Sequence, residues 1–374
     1  MGLDRTFVSL PSATGVQNGA GYHPAQGVYY AQTSSRPRVA AIASHYSVDF
    51  SEHYLAERMA RLGIGFLGWN TRYRNDETFF RLEHALVDVA AGVRWLREHE
   101  RVTTVVLLGN CGGGSLLAAY QAQAEAPFSV LAEKPGPLGD ALASLEPGDL
   151  YISLQAHLGR PEVLTNSLDP TVSDESDPLS GLGATDLDMF DPSNGPPYSE
   201  AFLSRYRAEQ QERNRRITAW ARERIRVLKD AGAYEQVFTV HRAWADPRFV
   251  DPGIDPSERP RNLCLGGEPR AANMSGYSIA STCSLRTWLS LWDMDASPCR
   301  GEANLRHVSS PALVVQSRAD CAVFPSDAAA ILEALGAADK ALEMIDGDHY
   351  LEQPSSARDD TAELLAGWIL GHSA

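Results

Sequence analysis

The stretch VTTVVLLGNCGGGSLLAAY, residues 102–120, constrains the fold more than any other part of the chain. Its apolar run of β-branched and leucine side chains reads as a strand buried on both faces, the pattern of a parallel sheet. The run stops at a Gly-Asn-Cys-Gly-Gly turn, and helix-compatible residues follow at once. A buried strand that turns directly into a helix is half of a βαβ unit. Such units cover both faces of a parallel sheet with helices.

The same rhythm surrounds this stretch. Thr6 to Leu10 and Val28 to Gln32 read as strands, as do RVAAIAS (38–44), IGFLGWN (64–70) and DLYISLQAH (149–157). SEHYLAERMARLG reads as an amphipathic helix with Ser51 capping its start and Gly63 closing it. The segment 79–99 reads as a helix with Leu82, Leu86, Val89, Val93 and Leu96 on one face. Strand and helix alternate again in PALVVQS (311–317), Asp327 to Leu335, ALEMID (341–346) and Thr361 to Leu370. Between the two blocks lies a segment rich in Pro, Asp and Ser, with one long helix at 199–230. The expectation is an α/β core made of residues 1–160 and 306–374, interrupted by a mainly helical insertion at 161–305. An insertion between strands of an open parallel sheet lies at the end where ligands bind, so it reads as a cap.

Composition narrows the partners. A formal net charge of -15 argues against nucleic acid and anionic membrane surfaces, which need a basic face. No apolar run approaches the ~18 residues of a membrane span. Five cysteines without CxxC spacing give no zinc ribbon or disulfide framework. The opening MGLDRTFVSLPS has no basic segment before an apolar core, so the chain reads as cytoplasmic with reduced thiols. The carboxylates between Asp169 and Asp191 do not match a calcium loop and read as solvated. The middle of the long helix, RAEQQERNRR, is polar all round. It reads as bridging solvent or packing on another subunit, which makes a homo-oligomer one expectation. Trp244, Phe249, Tyr277, Trp288 and Trp292 read as cap core or as the lining of an apolar pocket.

Gly109-Asn110-Cys111-Gly112-Gly113 fits G-x-S-x-G with Cys in place of Ser. The glycines suit a strained strand-to-helix corner that aims one side chain, and the next N–H, into a pocket. No Lys-Ser/Thr follows, so it is not a P-loop. It also lacks the G-x-G-x-x-G of a dinucleotide site. A thiol nucleophile needs a base, and the base an orienting carboxylate. The turn after strand 311–317, SRAD, offers Asp320. The turn after strand 341–346, GDHY, offers His349.

With GNCGG, SRAD and GDHY in that order, residues 25–160 and 305–374 resemble the α/β-hydrolase family. The resemblance implies Cys111 as nucleophile, His349 as general base and then acid, and Asp320 as its orienter. It also implies an oxyanion hole from the Gly112 N–H and one donor in the loop after the third strand. Many members have His-Gly there. In SHYSVDF, His45 takes the place of that His and Tyr46 that of the Gly. The Tyr46 N–H is therefore the expected donor, Ser47 the alternative, and His45 reads as structural. A cysteine at this corner is similar to that of dienelactone hydrolases, which are shorter and lack such a cap. His157, at a strand end, is a pocket-lining candidate without an assigned role. The implied reaction is hydrolysis of an ester, lactone or thioester of a small, fairly apolar molecule through an acyl-enzyme, without metal or organic cofactor. Acyl transfer on the same residues, hydrolytic C–C cleavage of a diketone, and a non-catalytic ligand-binding protein stay open as alternatives.

Overall fold

The computed structural model describes residues 2–11, 24–33, 35–183 and 186–373. Residues 184 and 185, inside the acidic stretch, lie outside the described residues. The strands are β1 (Leu3–Leu10), β2 (Ala25–Gln32), β3 (Val39–His45), β4 (Gly65–Asn70), β5 (Thr104–Asn110), β6 (Leu150–Leu154), β7 (Val237–Thr239), β8 (Thr282–Ser284), β9 (Ala312–Ser317) and β10 (Lys340–Ile345). The helices are α1 (Ala56–Arg61), α2 (Leu82–Glu98), α3 (Gly112–Glu125), α4 (Pro137–Ala143), α5 (Arg160–Ser167), α6 (Glu200–Asp230), α7 (Pro269–Asn273), α8 (Leu285–Thr287), α9 (Gly301–Leu305), α10 (Pro325–Ala334) and α11 (Ala357–His372).

Eight strands make one sheet in the order β1-β2-β4-β3-β5-β6-β9-β10. β2 runs antiparallel to β1 and β4, and every other neighbouring pair is parallel. β3, β4, β5, β6 and β9 are buried from end to end, as their continuous apolar runs require. Alternate side chains of β5 feed two cores. Val105 and Leu107 pack with α2, α3 and α10, whereas Val106 and Leu108 pack with α1 and α11. The parallel strands bring the ends of β3, β5, β6, β9 and β10 to one edge. Cys111, His157, Asp320 and His349 all follow strand ends on that edge.

Between β6 and β9 the chain makes α5 to α9 and the small β7–β8 pair instead of one crossover helix. This segment is bound to the core on two sides. Arg160 Nη2 pairs with Glu77 Oε2 at 2.6 Å, and the Ser284 N–H and Thr287 hydroxyl both donate to Thr78 O, at 2.9 and 2.8 Å. On the other side the Ser326 hydroxyl donates to Asp255 at 2.5 Å, and Arg248 faces Asp327 at 3.5 Å. Trp288 and Trp292 are fully buried in this segment and Phe249 nearly so, while Tyr277 is exposed.

Three local expectations change. The helix expected from Ser51 begins only at Ala56, because residues 51–54 are held otherwise. Ser51 O accepts from Tyr30 and its hydroxyl from Asn70, which leaves His53 and Tyr54 facing the end of β5. The polar helix α6 is not solvated all round. Tyr206, Gln210, Arg213, Asn214, Ile217, Thr218 and Ala221, spaced three or four apart, form a buried stripe. Fully buried Arg213 binds Glu175 at 2.8 and 2.6 Å and donates to the carbonyls of Asp169, His241 and Arg242. The acidic stretch is likewise partly internal. Asp169 is buried against Asn273 and Arg242. Asp174, Asp177, Asp188 and Asp191 instead accept the N–H two residues on, a chain of Asx turns. Among the described residues, no helix is long and apolar enough to cross a membrane.

Candidate active site

Cys111 ends β5 in a left-handed conformation, φ 53° and ψ −125°, which costs a non-glycine residue about 1–3 kcal/mol. The corner is held by its N–H on Leu154 O at 3.1 Å and by the Gly114 N–H on its own carbonyl at 3.1 Å. Glycine is required on both sides of it. A Cβ at Gly109 would lie 2.5 Å from the Gly114 Cα, and one at Gly112 would lie 2.6 Å from His45 Nε2.

Asp320 and His349 meet beside this corner. The His349 Nδ1–H lies 3.0 and 2.9 Å from the two oxygens of Asp320, both side chains being buried. Asp320 Oδ1 also accepts the N–H groups of Ala322 and Val323 at 2.7 and 3.0 Å, which fixes the carboxylate. The Cys111 thiol is close enough to His349 for the two to shift each other's charge. Asp348, next to the histidine, is turned away and caps its own loop through the Tyr350 and Glu352 N–H groups.

The thiol has two further imidazole neighbours, whose roles are not legible in the sequence. His45 and His157 both act to lower the thiol, and both are buried. His45 Nδ1 accepts from the Ser47 and Val48 N–H groups at 3.2 and 3.1 Å. His157 follows Gln155, whose φ is 45°, and its Nδ1 has no hydrogen-bond partner among the described residues. Strand-end position pointed to His157, and the place of the family's His-Gly pair pointed to His45.

A buried polar network joins the loops that carry these groups. Asn110 Oδ1 accepts from His53 and Tyr54 at 3.2 Å each, and its amide donates to Leu154 O at 3.0 Å. The Tyr54 hydroxyl also reaches Gln155 Oε1 at 3.2 Å. Gln155 Nε2 donates to Asp348 O at 2.8 Å and to the Ser317 hydroxyl. Thus the corner, the end of β6, the end of β9 and the His349 loop are cross-linked by side chains.

The electrostatics separate Cys111 from the other thiols. Burial alone would raise it, but the His349 charge and hydrogen bonds from His157, His349 and His45 bring it well below the usual thiol range. Burial pushes Cys264 up to about 11 and Cys299 up to about 12, and Cys283 well above the usual range. Burial would lower His349, yet the Asp320 carboxylate and the Cys111 thiolate hold it well above the usual imidazole range. Burial keeps His45 below that range.

Two backbone N–H groups border the thiol. Gly112 is the first residue of α3, where N–H groups lack intrahelical acceptors. In β3 the Thr104 N–H donates to Arg38 O, so even-numbered residues bond toward β5. Tyr46 is the next even position beyond the strand. No backbone acceptor for its N–H is found among the described residues. The Ser47 N–H, by contrast, is already bound to His45.

No protein-family model matches the chain, and no curated protein matches it in sequence. Solved structures do match it along their whole length. The α/β hydrolase GrgF from Penicillium sp. sh18 has a TM-score of 0.53 at 13% identity, covering 99% of each chain. DcsB in complex with its substrate analogue has a TM-score of 0.54 at 12% identity, covering 99% of this chain and 100% of that chain. The chain has the α/β-hydrolase fold. Cys111 stands at the strand-to-helix corner after β5, where its backbone is strained. The expected acid and base positions, Asp320 and His349, fall at the ends of β9 and β10. A cavity of about 590 Å³ opens between α6 and residues 173–176, and its lining residues include none of these groups.

Proposed function

We propose that the chain is a hydrolase that cleaves an ester, lactone or thioester of a small, fairly apolar molecule through a thioester on Cys111. The observation that carries this reading is the half-buried Cys111 at a strained corner beside the buried His349–Asp320 pair, with the thiol held below its usual range. The thiolate attacks the acyl carbon. The oxyanion is held by the Gly112 and Tyr46 N–H groups; that the Ser47 N–H is bound to His45 supports Tyr46 over Ser47 as the second donor. The tetrahedral intermediate collapses, breaking the bond to the leaving alkoxide or thiolate, which takes a proton from the His349 imidazolium. A water molecule then gives a proton to His349 and attacks the thioester, and the Cys111 thiolate leaves. Asp320 stabilises the imidazolium throughout and fixes its tautomer. Residues 1–160 and 306–374 act as the core, and residues 161–305 as a cap that sets substrate choice. The enzyme acts in the cytoplasm on a small-molecule substrate.

Intact-mass spectrometry tests this reading. The protein is incubated with p-nitrophenyl esters and with thioesters of a short thiol. A transient acyl adduct on Cys111, lost on Cys111→Ala and discharged by water, is the expected result. A folded protein that forms no adduct and turns over none of these compounds would sink the proposal.

A further inference from the structure

His45 meets the reacting sulfur in a defined tautomer. Its Nδ1 accepts two backbone N–H groups, from Ser47 at 3.2 Å and Val48 at 3.1 Å. A nitrogen that accepts carries no proton, so in the neutral ring the proton is on Nε2. That nitrogen lies over Gly112, the residue after Cys111, 2.6 Å from where a Cβ there would stand, and the Cys111 sulfur is among the groups that act on the ring. The ring is 6% exposed and wedged against Phe50, centroids 5.5 Å apart, so it has no room to turn over.

We propose that His45 is a fixed hydrogen-bond donor to the Cys111 sulfur, its Nε2–H holding the thiolate while His349 alone moves protons. This rests on Cys111 being the reacting thiol, but not on which acyl bond is cleaved. The two imidazoles divide the work because of their partners. Asp320 faces His349 Nδ1 and favours the imidazolium, so this ring gains and loses a proton. On His45 the Nδ1 lone pair is engaged by N–H groups, and burial disfavours the cation by more than the neighbouring Cys111 and Glu77 favour it. The ring therefore donates through Nε2 and accepts no proton in turnover. The same donor favours expulsion of Cys111 as thiolate when the thioester breaks down, because it stabilises charge on the leaving sulfur.

Several other groups face these two side chains. His349 with Asp320, Tyr350 and Cys321 act on the thiol from the β9 and β10 loops, His157 from the end of β6, and Tyr54 from the turn before α1. Arg160 and Glu77 act on His45 from the far side. A shift in the thiol must therefore be read against a variant that changes only the donor.

Asn and Gln separate the two halves of the ring. In His45→Asn the short amide places an oxygen near the old Nδ1 position, keeps the Ser47 and Val48 bonds, and leaves the sulfur without a donor. In His45→Gln the longer amide places an N–H near the old Nε2 position and gives up the Nδ1 acceptor. The rate of Cys111 alkylation by iodoacetamide is measured against pH, with peptide mapping to assign the label. A hydrogen bond to a charged group predicts that His45→Asn raises the midpoint by about one to two pH units, at least about tenfold in rate below it. His45→Gln stays within about half a unit of the parent. An unchanged midpoint in folded His45→Asn, or equal shifts in both folded variants, overturns the proposal. If either variant fails to fold, the parent protein decides the matter through ¹⁵N NMR of its histidines. The His45 ring should read as the neutral Nε2–H tautomer from about pH 5 to 8, with its Nε2 resonance moving on Cys111 alkylation. An Nδ1–H tautomer, a titration in that range, or a resonance unmoved by alkylation refutes it.

Discussion

Replacing Asp320 by asparagine removes one charge and almost no volume, so it isolates the electrostatic part of the site. The carboxylate is 1% exposed and 2.9 Å from His349 Nδ1. At an effective dielectric of about 20, unit charges at that distance attract by about 6 kcal/mol. Desolvation of the imidazolium offsets part of this, and breaking a buried pair typically costs about 3–5 kcal/mol. Without the carboxylate, burial of the imidazolium is no longer offset, so His349 holds its proton less tightly. The sign then follows through the pair. Asp320 raises His349, and the imidazolium lowers Cys111, so Asp320→Asn moves the thiol up toward its usual value near about 8.5. Below its midpoint, alkylation slows about tenfold per pH unit. Iodoacetamide labelling of Cys111 at pH 7 should therefore fall by up to about 30-fold, and ester turnover roughly 10²- to 10⁴-fold. Asp348→Asn is the control, because that carboxylate caps only the Tyr350 and Glu352 N–H groups. Labelling of Asp320→Asn within about threefold of the parent at neutral pH, alongside a large loss in Asp348→Asn, would show that the wrong carboxylate has been assigned.

Three further substitutions test other parts of the argument. Gly112→Ala places a Cβ 2.6 Å from His45 Nε2, so ring or corner must shift; turnover should fall about 10²-fold with little change in melting temperature, and parent-like kinetics would refute it. Gln155→Leu leaves Asp348 O, the Ser317 hydroxyl and one Tyr54 contact without a partner, so urea unfolding should show a loss of about 2–4 kcal/mol, with kcat reduced more than KM. A change under about 0.5 kcal/mol would mean that the network does not hold the loops together. Arg213→Met strips the α6 stripe of its links to Glu175 and three carbonyls, for an expected cost of about 3–5 kcal/mol. Hydrogen exchange should show that loss first in residues 169–175 and 241–242; unchanged protection there would contradict it.

Local chemistry in the sequence was sufficient for the sheet. Runs such as RVAAIAS and VTTVVLLG are apolar at every position, and only strands buried on both faces need that. The Cys111 corner was legible for a related reason. Its glycines answer steric contacts within a few residues, such as that between Gly109 and Gly114. Asp320 and His349 were findable because a parallel sheet sends successive strand ends to one edge. The α6 stripe was not legible, since Gln210, Arg213 and Asn214 are buried by partners in residues 165–175, 241–245 and 292–294. A polar side chain is read as solvated until its partners are known. Nor did the sequence decide what His45 and His157 do. One ends β3 and the other follows β6, and the pairing order of β3, β5 and β6 brings both beside the Cys111 corner. The tautomer of His45 depends on two N–H groups that turn back only because the loop after β3 folds over Phe50. The sequence alone determined the sheet and the residue at its sharpest corner. Only the tertiary structure decided which side chains surround that residue, because those contacts are made across strands far apart in the chain.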